Sequence, residues 1–348
     1  MLIFSHMVTE KAAENGKFLW EVCGHEKIVN FLKSSINQER IGHAYIFAGQ
    51  NGLGKATVAE KFIKTLYCQG QSEYRPCNQC SACRQIESHV HPDVYYVGRT
   101  TNEKTGKLHR EILIDQVRDL KMKLSQGTLL SSWKIAIIED ADYLNLNAAN
   151  SLLKVLEEPT KKTVIILLVS DLSQIIKTIV SRVQVLNFFP VSTDEIKTYL
   201  LGKEISPEKA QRIASLSLGK PRLAVKMAED PDYLNIITSD IKNFGEVFSL
   251  DLFSRIKKLD SLIDWDKDEG INILRLNDLF DHWLIAIRDL MLIKTDNQRL
   301  TVMAGEKTVP VGDYSKLLRI YSLIEEAKKL LDRNIMSKNI LENLIINI

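Results

Sequence analysis

Residues His43–Ala48 (His-Ala-Tyr-Ile-Phe-Ala) run directly into Gly49-Gln-Asn-Gly-Leu-Gly54-Lys55, after which Val58, Phe62, Ile63 and Leu66 recur at helical spacing. A buried strand, a glycine-rich turn and an amphipathic helix, in that order, open a βαβ unit. Such a unit requires a parallel sheet that covers the strand on both faces. The turn also has the Gly-x-x-x-x-Gly-Lys spacing of a phosphate-binding loop. Backbone N–H groups of that loop converge on an anion at the helix N-terminus, and the lysine adds a point charge.

More strand-like runs follow at Val94–Val97, Lys134–Glu139 and Thr163–Val169. Between them, Ile114, Val117, Leu120 and Leu124 form one stripe within 112–124. Ala148, Leu152, Leu153 and Leu156 line one face of Asn145–Glu157, which Pro159 stops. Leu172–Ile179 reads as a short helix. This alternation up to about Phe189 predicts an α/β domain with a parallel core sheet. Beyond Pro190 strand signals vanish and amphipathic helices take over: 193–201, 207–216, 221–227, several from Phe244 onward, and a last one over 337–348. A length of 348 residues suits two or three domains. The expected divisions are an N-terminal extension over 1–17, an α/β domain over 18–189, a small helical module over 190–235 and a larger helical domain over 240–348.

The phosphate loop lacks part of its pattern. After Lys55 the motif asks for a hydroxyl that binds Mg²⁺, and this chain supplies Ala56. Thr57 is no obvious substitute, because one helical step turns a side chain by roughly 100°. The strand ending at Ile138 should deliver Asp then Glu, and delivers Glu139 then Asp140. Each is wrong by one methylene, about 1.5 Å, and misplacement on that scale costs about 10²-fold in rate. Hydrolysis by this chain is not expected. Two readings of Gly49, Gly54 and Lys55 stay open: a loop that still binds nucleotide, and one that only packs a strand onto a helix.

Four of the five cysteines, Cys68, Cys77, Cys80 and Cys83, fall within sixteen residues. The x8, x2, x2 spacing supplies four thiolates that can wrap one tetrahedral ion, with Pro76 and Asn78 as turn residues. An all-sulfur tetrahedral site suits Zn²⁺ or iron–sulfur; Zn²⁺ is favoured because a structural zinc needs no redox partner, and with four protein ligands its role is structural. Such binding is worth roughly 10–16 kcal/mol in small zinc peptides. Cys23 stands apart and reads as a small core residue. A net charge of +2 argues against a chain that coats nucleic acid unaided. The longest apolar run, Val164–Val169, is far too short for a bilayer span. Glu10, Lys11, Glu14 and Lys17 interrupt any secretory stretch. A cytoplasmic protein without a membrane partner is expected, and a reducing compartment favours metal over disulfides.

Two arginines stand out. Arg182, in Ser181-Arg182-Val183, lies at the edge of the α/β domain, where an exposed arginine is usually only solvated. Arg222, in Gly219-Lys-Pro-Arg222 at a helix start, reads equally as a surface charge or as a group that reaches a nucleotide.

These pieces in this order resemble the delta-prime family of bacterial DNA polymerase III clamp loaders. The likeness rests on Leu19-Trp-Glu-Val-Cys-Gly-His-Glu-Lys27, Gly42-His-Ala-Tyr-Ile-Phe47, the four-cysteine insertion and His91-Pro-Asp-Val94. It rests equally on Ala148-Ala-Asn-Ser-Leu-Leu-Lys-Val-Leu-Glu-Glu-Pro159 and Thr178-Ile-Val-Ser-Arg-Val-Gln184. The resemblance implies an AAA+ fold: a RecA-like domain carrying a zinc module, a helical lid, and a helical collar that assembles a ring. It implies tau/gamma and delta subunits as partners, the sliding clamp indirectly, and primed DNA through the complex, with polymerase activity belonging to the holoenzyme. Arg182 matches the family's trans-acting arginine, which stabilises charge on a neighbour's γ-phosphate. Val183 replaces the cysteine of the family's Ser-Arg-Cys motif, a change read as packing. Ala56 and Glu139-Asp140 depart from the tau/gamma pattern and favour the delta-prime branch. Two alternatives are an active tau/gamma-type ATPase and a stand-alone zinc-dependent DNA-binding module. Only Arg75 and Arg84 flank the cysteines closely, which is thin for the latter.

Overall fold

Each apolar run of the first half becomes a strand covered on both faces. The computed structural model describes residues 18–70, 74–100, 109–126, 128, 133–160, 162–295, 301, 313–331 and 335–348, so the expected extension over 1–17 lies outside the described residues. The chain divides into two compact units: residues up to Ile196 with Gly219–Arg222, and Lys197–Leu218 with Leu223–Ile348.

The first unit contains α1 (Glu26–Asn37), β1 (Ala44–Ala48), α2 (Lys55–Tyr67), α3 (Ser81–Glu87), β2 (Val94–Val97), α4 (Ile114–Ser125), β3 (Lys134–Ile138), α5 (Leu146–Glu157), β4 (Thr163–Val169), α6 (Lys177–Val180) and β5 (Gln184–Asn187). The five strands form one sheet in the order β2-β3-β4-β1-β5, and every pairing is parallel. Ala44 pairs with Ile165 and Ala48 with Val169 across β1 and β4. Alternation splits the strands between two core layers. Tyr45, Phe47, Val164 and Ile166 pack with Phe62 and Ile63 of α2 in one layer. Ile46, Ile165 and Leu167 pack with Leu152 and Leu156 of α5 in the other. Asn145 starts α5 by accepting a 2.9 Å hydrogen bond from Ala148 N, a cap worth about 1 kcal/mol.

Two local expectations need correction. Leu172–Ile179 is not one helix: a 3-10 turn covers Leu172–Gln174, and α6 starts only at Lys177. Ile175 and Ile176 take extended backbone between them, and Ile175 and Ile179 are both buried in the second layer. Strand β5 was not foreseen, because Gln-Val-Leu-Asn is short, half-exposed and carries no apolar run.

In the second unit the described residues are helical. The remaining helices are α7 (Thr193–Gly202, which begins in the first unit), α8 (Pro207–Leu216), α9 (Pro221–Glu229), α10 (Pro231–Ser249), α11 (Leu252–Asp260), α12 (Glu269–Lys294), α13 (Tyr314–Leu331) and α14 (Ser337–Asn347). Helix α10 runs unbroken through the stretch between the two helical modules expected from sequence. Trp283 of α12 is fully buried against Phe244, Phe248 and Phe280. Beside it, buried Asp240 of α10 accepts two 2.7 Å bonds from Arg275 and one from His282 Nδ1, also 2.7 Å. Burial pushes the Asp240 carboxyl up, but the bonds from His282 and Arg275 outweigh it and hold it below its ordinary value. No described helix is long and apolar enough to cross a membrane.

Candidate functional site

In a parallel sheet all carboxyl ends lie on one side, so the loops after β1, β3 and β4 meet there. The first is the phosphate loop. Gly49 donates its N–H to Val169 O at 3.0 Å, and a Cβ on it would collide with Phe188 O. Gly54 caps α2 with φ 92°, a left-handed conformation that glycine adopts without strain. Behind the loop, His25 Nε2 lies 2.8 Å from Leu53 O. The Lys55 side chain is folded in: Nζ donates to Gly49 O and, at 3.0 Å, to Gln50 O, and the residue is 7% exposed. Burial lowers its pKa, against the opposing pull of Asp142 and Asp140.

A cavity of about 150 Å³ opens over the loop, its walls including Gly54, Lys55, Thr57, Glu139, Asp140 and Arg222. The fold therefore gathers three of the groups marked in the sequence, Gly54, Lys55 and Arg222. Gly49 lies behind the wall as an acceptor for Lys55. Arg222 is tied in through its backbone, which donates to Gly52 O at 3.1 Å. Ala56 and Thr57 both line the cavity. Thr57, one residue beyond the position the motif asks for, thus borders the cavity.

Of the two acids after β3, Asp140 is paired with an arginine. Asp140, at φ 50°, accepts from Arg99 Nε at 3.1 Å and pairs with Arg99 Nη2 at 3.0 Å. The same guanidinium sits 3.9 Å from the Tyr143 ring centre. Glu139 is exposed. Sequence reading missed Asp142 and Ser170. Asp142 Oδ2 accepts from Ser170 N at 3.3 Å, and its buried Oδ1 has no hydrogen-bond partner among the described residues. Ser170 Oγ donates to Asn51 Oδ1 at 2.9 Å, linking the end of β4 to the phosphate loop. Ser170 follows the apolar run of β4 directly, which was the one available signal.

The cysteines converge between α2 and α3. The sulfur atoms of Cys68, Cys77, Cys80 and Cys83 all lie within 4.8 Å of one another, so the cluster could hold a metal ion. Cys77 N donates to Cys68 Sγ, and Cys80 N to Cys77 Sγ, both at 3.3 Å. Asn78 takes φ 57° in the turn between them. The N–H of Gln79 is the main cause holding the Cys77 thiol down to about 6, the form a metal ligand needs. Burial pushes Cys83 up. An ion's own charge favours the thiolate in either case. Four soft donors with N–H groups turned toward them fit a closed all-sulfur site. Cys23 lies in the core as expected, its thiol pushed up to about 12 by burial and by Glu195.

Arg182 is placed differently from all of these. It is exposed, outside the cavity walls, with Nη2 2.9 Å from Glu157 Oε1. Nη1 donates to Thr178 O at 3.0 Å and to Ser181 Oγ at 3.2 Å. Val183 packs against the second core layer.

Comparison with known proteins agrees with this arrangement. The family described as "DNA polymerase III, delta subunit" matches residues 24–192. The chain is 28% identical to DNA polymerase III subunit delta' of Bacillus subtilis, covering 92% of this chain and 94% of that protein. It is 30% identical to subunit delta' of Haemophilus influenzae, over 82% of this chain and 83% of that one. It is also 31% identical to subunit tau of Bacillus subtilis, but over only 51% of this chain and 30% of the relative. The delta' matches run through the helical unit as well as the α/β core, and the chain belongs to the DNA polymerase III delta-prime subunit family.

Proposed function

We propose that this chain is the non-hydrolysing member of a clamp-loader ring, lending Arg182 to the ATP site of an adjacent tau/gamma subunit while the sliding clamp is loaded on primed DNA. The observation that carries this reading is the place of Arg182. A guanidinium that is exposed and outside its own chain's cavity can act on another chain's phosphate. The chain's own loop supports the same reading, because Ala56 offers no metal ligand and Asp140 is held by Arg99. The delta subunit is the other expected partner. Duplex contacts from this chain are to phosphates, hence salt-dependent and indifferent to sequence.

Zn²⁺ is the ion this reading assigns to Cys68, Cys77, Cys80 and Cys83. It would hold the segment between α2 and α3 in place and do no chemistry, since four protein ligands leave no open position. The helical unit is read as a lid over 190–235 and a collar over 240–348. A replication role places the chain in the cytoplasm, the compartment that also suits reduced cysteines.

The test is reconstitution with tau/gamma and delta partners. Arg182→Ala is expected to assemble normally and to cut DNA-stimulated ATP hydrolysis severalfold; a wild-type rate would overturn the assignment. One observation favours an alternative, an active tau/gamma-type ATPase: Lys55, Thr57 and Arg222 line one cavity. Phosphate release by the isolated chain, abolished by Lys55→Ala, would establish that alternative.

A further inference from the structure

Arg182 is a long side chain on an exposed surface, yet three polar partners hold its head. Nη1 donates to Thr178 O and Ser181 Oγ, and Nη2 forms an ion pair with Glu157 Oε1 at 2.9 Å. A free arginine loses much rotamer freedom when it is ordered, so an arginine tethered in advance has less to lose on meeting its target. The donor count sharpens the point. A guanidinium has five N–H groups. Nη1 meets Thr178 O and Ser181 Oγ and Nη2 meets Glu157 Oε1, while among the described residues Nε meets no partner, so Nε and an Nη2 hydrogen turned away from Glu157 stay available. Those nitrogens are adjacent, and an adjacent pair of N–H groups binds two oxygens of a phosphate side by side.

Thr178 O and Ser181 Oγ are local, within four residues of Arg182. Glu157 is the distant partner. It is the last residue of α5, a helix anchored in the core by Leu152, Val155 and Leu156. Resting on the reading of Arg182 as a trans-acting group, we infer that Glu157 is its positioning residue: it holds the guanidinium so that the Nε and Nη2 N–H pair is presented to a neighbouring subunit's nucleotide. Glu157 touches neither nucleotide nor reacting atoms, and acts through Arg182 alone.

Two effects of the carboxylate oppose each other. It partly neutralises the arginine, which weakens attraction to a phosphate, and it fixes the arginine's direction. An exposed ion pair shifts populations by only about 1.4- to 5-fold, whereas an error of about 1 Å in a catalytic group costs on the order of 100-fold. Positioning is the larger effect.

The experiment uses the full ring reconstituted with tau/gamma and delta, read as DNA-stimulated ATP turnover, with assembly checked by size-exclusion chromatography. Glu157→Ala is expected to lower kcat about two- to fivefold with the KM for ATP unchanged, the sign of a group felt only in the transition state. Glu157→Gln, which keeps an oxygen acceptor, recovers most of the rate. In an Arg182→Ala background, Glu157→Ala produces no further loss. If Arg182→Ala slows the ring while Glu157→Ala leaves kcat at the wild-type value, the inference about Glu157 is wrong and the role of Arg182 stands. Losses that multiply in the double variant, or a change in KM alone, also overturn it. If Arg182→Ala itself has no effect, the underlying reading fails and takes this one with it.

Discussion

The phosphate loop and the cysteine cluster each sit beside a helix start, and their polar groups are engaged in different ways. The cluster draws its four donors from sixteen consecutive residues, and its own backbone orients the sulfur atoms. The loop depends on groups delivered by three separate strands, and several of these have taken other partners. Lys55 binds its own loop's carbonyls, Asp140 is paired with Arg99, and Asn51 is bonded to Ser170. A locally closed site is hard to lose by degrees. A site assembled from distant segments can be disarmed one side chain at a time while each polar group remains satisfied.

The contrast would break first at the cysteines. Cys83→Ala is expected to reduce bound zinc from about one ion per chain to near zero, and to cost more than about 4 kcal/mol of stability. Elemental analysis and thermal melts measure both, and retained metal with an unchanged melt would refute the closed-site account. Next is Gly70→Ala. A Cβ there would lie 2.6 Å from Cys77 Sγ and 2.8 Å from Cys77 Cβ. Zinc affinity, measured by competition with a chelator, is expected to fall about 10- to 100-fold, as when a supporting group is removed.

A smaller effect is expected from pH. Asp93 N donates to His91 Nδ1 at 3.2 Å, which requires that nitrogen unprotonated, and burial holds the ring below its ordinary 6.5. The unfolded chain therefore takes up a proton first as pH falls through 6.5. His91 stabilises the fold fully above that value, and the contribution is lost on acidification. Urea midpoints at pH 7.5 and 5.5 test this, and His91→Gln is expected to flatten the difference. At the loop, Ser170→Ala removes one hydrogen bond and is expected to cost about 1 kcal/mol in the same assay. The smallest expected change is none: Ala56→Thr alone leaves phosphate release at background, because Asp140 is still held by Arg99. Turnover in that variant would show that the loop lacked only a hydroxyl.

Both sites were readable because their residues lie close together along the chain. The phosphate loop and the cysteines are each a spacing pattern, and the four apolar strands declared themselves by composition. Other parts of the site were not readable. Arg99 meets Asp140 across 41 residues, Ser170 meets Asp142 across 28, and Ser170 meets Asn51 across 119. Only the strand order brings such pairs together, and no local periodicity reports it. That Thr57 borders the cavity was also not legible, because a helical step from Ala56 does not say how wide the cavity opens. Strand β5 escaped because an edge strand needs no apolar run.

One consequence follows from the parallel sheet. Lys55, Glu139, Asp140, Asp142 and Ser170 belong to neither core layer. Mutations at these positions leave the interior intact, so the chemistry of the pocket can change while the shape around it, and the surfaces that shape presents, stay as they are.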